Sequence, residues 1–326
     1  MVIAYMRCAV GEDKFMPDRV GSLPRCISVA IGKGGAGKTS MTANVGGLAA
    51  RAGYRVLIVS LDPQDNMGED LGYAHVGAGD DGSALVAAIR GEQPLKPLTD
   101  VRPGLDVACG GDALEGLVAD LYVSKWLSTQ TSDIDGPQVD TDHGLARALA
   151  PVADTYDLIL IDCPPGYHIL QHLALVASRW ILVPTAADAS SRKGIALLAN
   201  RVTDATAANP DLGLLGVVLF DIPTAATRIR ATAATAIAED LGSREPLMTA
   251  FIRTAKAAAA DSRERGQLMH ELTEALAQQD PWWKRRRQGS NAATVSLAAS
   301  ATTVAADYQA LTEEILTQLA AHEEQA

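Results

Sequence analysis

The chain has 326 residues, 48% of them hydrophobic and only 4% aromatic, so it is long enough for one large domain or at most two, with a core built mainly from Ala, Val, Leu and Ile. Its net charge of −11, from 28 Lys and Arg against 39 Asp and Glu, excludes a uniformly basic nucleic-acid coat but not a local basic patch. No apolar run reaches the roughly 18 uncharged residues of a membrane span, no basic n-region leads into an apolar leader, and Cys8, Cys26, Cys109 and Cys163 form no CxxC pair, which together predict a cytoplasmic protein with reduced thiols.

In chain order, residues 1–25 show little periodicity and contain Pro17, Gly21 and Pro24, so they read as an extension ahead of a domain over 26–326. Strands are predicted at Cys26–Ile31, Val56–Leu61, Leu105–Ala108, Leu158–Ile161, Trp180–Val183, Leu215–Phe220 and Met248–Ile252. Runs such as VLIVSL, LILI and GVVLF are continuously apolar, as strands covered on both faces require. Helical stretches such as Thr39–Ala52 and Ile195–Ala208 supply crossovers, and the alternation predicts a doubly wound, mostly parallel α/β sheet with helices on both faces. Segments 124–144 and 280–300 read as insertion-like loops, and a last helix over Thr302–Ala321 runs into the acidic tail HEEQA.

Gly32-Lys33-Gly34-Gly35-Ala36-Gly37-Lys38-Thr39 satisfies GxxxxGK[ST] between an apolar strand and a helix. Glycines let backbone N–H groups face phosphate oxygens, and the helix N-terminus adds positive potential. Lys38 is placed to reach the β- and γ-phosphates and Thr39 to ligate Mg²⁺, so ATP or GTP binding is predicted, with the loop from Gly32 through Ser40 holding the nucleotide. VLIVSLDPQDN ends a buried strand at Asp62, where open α/β sheets bind ligands; the segment reads either as a strand-ending Asp-Pro turn or as a switch that positions an attacking water, with Asp62 counted beside Thr39 and Asp162 among the candidate Mg²⁺ residues. DLILIDCPPG matches a Walker B strand, with Asp162 holding Mg²⁺ through water.

KGGxGKT, DPQxN and DCPP, in this order, resemble the deviant Walker A ATPases of the ParA/MinD family, closest to ParA-type partition ATPases, and the likeness extends over about residues 26–270 and the closing helix. The resemblance implies that Lys33 reaches across a homodimer to the partner's nucleotide. It also implies that the ATP dimer binds DNA without sequence preference on the nucleoid, and that a ParB-type centromere-binding protein stimulates hydrolysis. Where most of the family carries Asp two residues before Asp62, this chain has Ser60, which bears on the hydrolysis rate.

Residues 228–287 hold eleven Lys and Arg against eight acids, +3, leaving −14 for the rest of the chain. Arg228, Arg230, Arg253 and Lys256 follow strands in the region where the family carries DNA-contacting cations, and are candidate phosphate contacts; a solvated ion-paired face is the competing reading. Trp282–Arg287 (WWKRRR) reads first as packing, second as nucleic-acid contact and last as a membrane-interface anchor, and His168 and His172, without companion ligands, do not suggest a metal site. A MinD-like membrane-positioning ATPase is disfavoured by the acidic tail, an ATP-dependent ligase or amidotransferase by DPQ, and an iron–sulfur reductase by the cysteine context.

Overall fold

The computed structural model describes residues 22–31, 35–130, 138–223, 227–241, 246–278 and 300–324, with the side chains of 189–193, 227–230 and 240–241 left aside. The expected loop 280–300 lies outside them except for its last residue, as do residues 1–21 and the Trp282–Arg287 segment.

Eight strands form one sheet in the order β3-β4-β2-β5-β1-β6-β7-β8, where β1 is Leu23–Val29, β2 Val56–Ser60, β3 Leu98–Arg102, β4 Leu105–Ala108, β5 Leu158–Asp162, β6 Ser178–Thr185, β7 Gly213–Ile222 and β8 Leu247–Arg253. Every pairing is parallel except β3 with β4. The continuous apolar runs are explained by the pleat, which sends alternate residues to opposite faces. Leu57, Val59, Ile159 and Ile161 enter one core; Val56, Ile58, Leu158 and Leu160 enter the other.

Helices cover both faces. On the first lie α3 (Ser83–Ile89), α4 (Ala113–Leu127), α5 (Gly144–Ala153), α6 (His168–Ala177), α7 (Ala189–Thr206) and α8 (Thr227–Leu241), through residues such as Leu117, Leu149, Leu173, Val202 and Ile237. On the second lie α1 (Lys38–Arg51), α2 (Asn66–Leu71), α9 (Lys256–Arg265), α10 (Met269–Gln278) and α11 (Ser300–Glu323), through Met41, Val45, Leu71, Ala258, Leu272, Tyr308 and Ile315.

Two boundaries and one strand depart most from the sequence reading. β1 begins at Leu23, inside the expected extension: Leu23 is buried, Pro24 is tolerated near a strand start, and Arg25 pairs with Glu323 of α11. Helix α4 continues to Leu127, into the segment expected to be a loop from 124, and Ser124 is buried there, its hydroxyl accepting the backbone N–H of Val139 at 3.0 Å. β3 was not predicted, because LTDVR is polar and half exposed; it is an antiparallel edge in which Asp100 takes a left-handed φ of 55°.

Candidate nucleotide site

The site forms at the carboxyl ends of β1, β5 and β2, where neighbouring strands lead away to opposite sides of the sheet. Gly37 has φ 76°, and a Cβ there would lie 2.1 Å from the Phe220 ring carbon Cζ, so only glycine fits between the turn and β7. Its carbonyl accepts the N–H of Met41 at 2.8 Å, and α1 opens at Lys38. Gly32, Lys33 and Gly34 lie outside the described residues; Gly35, Ala36, Gly37, Lys38, Thr39 and Ser40 lie within them.

Lys38 is only 5% exposed. Burial lowers its pKa from the ordinary lysine value, while the charges of Asp162 and Asp62 pull upward. Asp162, at the end of β5, is 1% exposed, and neither carboxylate oxygen has a hydrogen-bond partner among the described residues. Burial pushes its pKa up to about 7, against the opposing influence of the Thr39 hydroxyl and Lys38. Ser60 stands directly beside Asp162 in the β2–β5 register, and its buried Oγ is likewise unpartnered. Two adjacent strand ends therefore present three unsatisfied oxygens next to Lys38 and Thr39, a donor set that suits a hydrated hard cation.

Asp62 is oriented by the turn that follows it. The Gln64 backbone N–H donates to Oδ1 at 3.0 Å and the Asn66 amide to Oδ2 at 2.6 Å, while the Asp62 carbonyl accepts from Asp65 at 3.0 Å and Gly111 at 3.1 Å. Asp65 sits at φ 44° and accepts the Tyr73 hydroxyl at 2.7 Å; burial pushes its pKa up to about 6. This turn was legible from DPQ, but the anchoring by Asn66, Tyr73 and Gly111 was not.

Other expected site residues fare differently. The Ser40 hydroxyl donates to Asp70 at 2.9 Å. Arg253, a candidate phosphate contact, is engaged within the fold: its backbone N–H and its guanidinium both meet Asp307 of α11, with the N–H at 3.0 Å and Nε at 2.9 Å from Oδ2. Lys256 is exposed at the start of α9. Arg228 and Arg230 fall in the first turn of α8, and their side chains lie outside the described residues. His172 pairs with Asp142 at 2.8 Å, and no metal-ligating cluster occurs among the described residues. Burial pushes the Cys163 thiol far up, as befits a packed residue rather than a nucleophile.

A strand, a left-handed glycine turn, a helix opened by buried Lys38 and a buried acid closing the adjacent strand place this protein among P-loop nucleotide-binding proteins. The AAA domain family model matches residues 24–214, and the chain belongs to that family and, with it, to the ParA/MinD group. An uncharacterized protein of Mycobacterium tuberculosis is 30% identical over 197 residues, 60% of this chain and 57% of its own length. The chromosome-partitioning ATPase Soj of Thermus thermophilus is 33% identical over 198 residues, 60% of this chain and 68% of that protein. The chain thus spans under two thirds of the length of some of these relatives.

Among solved structures, one titled cobyrinic acid a,c-diamide synthase from Mycobacterium smegmatis, with bound ADP and magnesium, aligns at TM-score 0.58 and 26% identity over 81% of this chain and 96% of that one. The cell division ATPase MinD of Pyrococcus furiosus shares the fold at TM-score 0.60 and 21% identity, over 90% and 99%. No helix among the described residues is long and apolar enough to cross a membrane.

Proposed function

We propose that this chain is a ParA-type ATPase that partitions DNA, using ATP and Mg²⁺. The observation that carries the reading is the buried, unpartnered Asp162 carboxylate beside Lys38 and Thr39. A buried carboxylate whose oxygens are not fully hydrogen-bonded is costly even beside Lys38, and a hydrated cation on the phosphates relieves that cost. Thr39 would hold Mg²⁺ directly, with Asp162 and Ser60 holding its water. The metal would supply charge neutralisation on the phosphates. Lys38 would neutralise the β- and γ-phosphates, and the backbone N–H groups of the loop would orient them. Asp62, fixed by Asn66 and the Gln64 N–H, would accept a hydrogen bond from the attacking water and align it with the γ-phosphate.

In this reading Lys33 reaches the nucleotide of a second copy, and the ATP-bound dimer holds nucleoid DNA through cations that include the exposed Lys256 and, from the first turn of α8, Arg228 and Arg230. A ParB-type partner then stimulates hydrolysis and resets the state. Whether a chromosome or a plasmid is served is left to experiment. A membrane-positioning role is less well supported, because the apolar face of α11, with Val304, Tyr308, Leu311, Ile315 and Leu319, is buried against the sheet. The 26% likeness to the structure titled as a diamide synthase supports a second reading, an ATP-dependent ligase.

The test is retention of DNA by the purified protein without nucleotide, with ADP and with ATP, alongside Lys33→Ala and Lys38→Ala. Salt-sensitive retention that needs ATP and is lost in either variant is expected. Retention indifferent to nucleotide, or none at low salt, refutes the partition reading; ATP consumption only with a carboxylic acid and an amine donor would establish the ligase.

A further inference from the structure

Asp70 lies near the end of α2, 4% exposed, and is held from two directions. The Ser40 hydroxyl donates to its Oδ2 at 2.9 Å, and Arg263 Nε donates to its Oδ1 at 2.9 Å. Ser40 follows Thr39 in the first turn of α1, while α2 begins at Asn66, which grips Asp62. One buried carboxylate therefore stands between the two halves of the nucleotide site, the phosphate loop and the Asp62 turn.

Its counter-charge comes from α9, 193 residues along the chain, and Arg263 also lies 3.4 Å from Glu69. The contact between α2 and α9 is closed elsewhere as well. A Cβ on Gly266 would sit 2.2 Å from the Cα of Gly72, so the two backbones touch where each helix ends. The Arg102 guanidinium donates to the Leu71 carbonyl at 3.1 Å and the Gly266 carbonyl at 2.9 Å, and pairs with Glu271 of α10. Movement of α2 is thereby tied to α9.

We propose that Asp70 and Arg263 form a strut that sets the spacing between the phosphate loop and the Asp62 turn, making them positioning residues for hydrolysis. The proposal rests on the ATPase reading. Removing Arg263 leaves a buried carboxylate without its cation, which then pulls on Ser40 or admits water. Nucleotide binding, carried by Lys38 and the loop amides, tolerates the resulting shift. Alignment of a water with the γ-phosphate does not, since hydrolysis is steeply sensitive to small displacements.

The experiment uses the full chain with ATP and Mg²⁺, measuring ATP affinity by calorimetry and phosphate release at saturating ATP. Arg263→Ala is expected to lower kcat about tenfold while Kd stays within about twofold, and Arg263→Lys to recover about half of the rate. Asp70→Asn keeps an acceptor for Ser40 but loses the charge; it should show the same split, and adding Arg263→Ala to it should cost no more than about twofold further. If Arg263→Ala does not fold, Asp70→Asn alone decides by the same split. Affinity and rate falling in parallel, neither changing, or additive losses in the double variant would overturn the strut. A wild-type chain that neither binds ATP nor releases phosphate overturns the ATPase reading and the strut with it, whereas an active wild type with unsplit variants overturns the strut alone.

Discussion

Replacing Asp162 by Asn tests the site without any assumption about its ligand's identity. A carboxyl with pKa about 7 in place of the ordinary 3.8 holds its proton more tightly folded than unfolded. The folded state is therefore unpenalised below about pH 4, loses stability as pH rises from there to 7, and above that carries a cost of about 4 kcal/mol, at about 1.4 kcal/mol per pH unit. Asparagine removes that titration but buries an unsatisfied amide, which itself costs about 1–3 kcal/mol. The metal-free variant should thus exceed wild type by roughly 1–3 kcal/mol at pH 8, or roughly 1–4 °C in Tm, with the advantage nearly gone at pH 5. Thermal melting in chelator at the two pH values measures it. With the chelator replaced by Mg²⁺, ATP should raise the Tm of wild type and not of the variant. Equal pH profiles for the two proteins would mean that the Asp162 carboxylate is not penalised by its burial, and the argument for a cation at this position would fall.

Gly37→Ala combines a left-handed φ with a collision against Phe220, and should abolish ATP binding while lowering stability by about 2 kcal/mol; normal ATP affinity by calorimetry would contradict the packing described. Asp307→Ala strands Arg253 half-buried at the junction of β8 and α11, and a loss of roughly 2–3 kcal/mol is expected by urea denaturation, less than for a fully buried pair because the guanidinium is partly solvated. Tyr73→Phe removes the hydroxyl that lowers the pKa of Asp65, so that pKa should rise above about 6; by the same sign as at Asp162, the variant should lose more stability than wild type as pH rises through 6, read from chemical denaturation at pH 5 and 7.5.

The parallel sheet was legible because burial on both faces leaves a continuous apolar signature, and seven strands were located from it to within a few residues. β3 was not, since an edge strand half exposed to solvent carries no such mark. The phosphate loop and Asp162 were legible because their chemistry demands particular residue types in a short span. Asp70 and Arg263 were invisible for the opposite reason: a lone acid and a lone arginine 193 residues apart have no local pattern, and only the fold juxtaposes them. Arg253 looked available in sequence because its partner, Asp307, belongs to a distant helix. Charge counting over a window registers cations but not their neutralisation in space.

At both border strands of the sheet, side-chain carboxylates take up backbone N–H groups. At β8 the Glu314 carboxylate of α11 accepts the backbone N–H groups of Thr249 and Ala250 at 2.8 Å each, and at β3 the Asp100 N–H is taken by Asp106 at 2.9 Å beside a left-handed kink. Strand-to-strand polymerisation between copies has no free template at these points. Backbone groups taken by side chains in this way are unavailable to a neighbouring strand, so the sheet ends in carboxylate contacts rather than in further ladder bonds there.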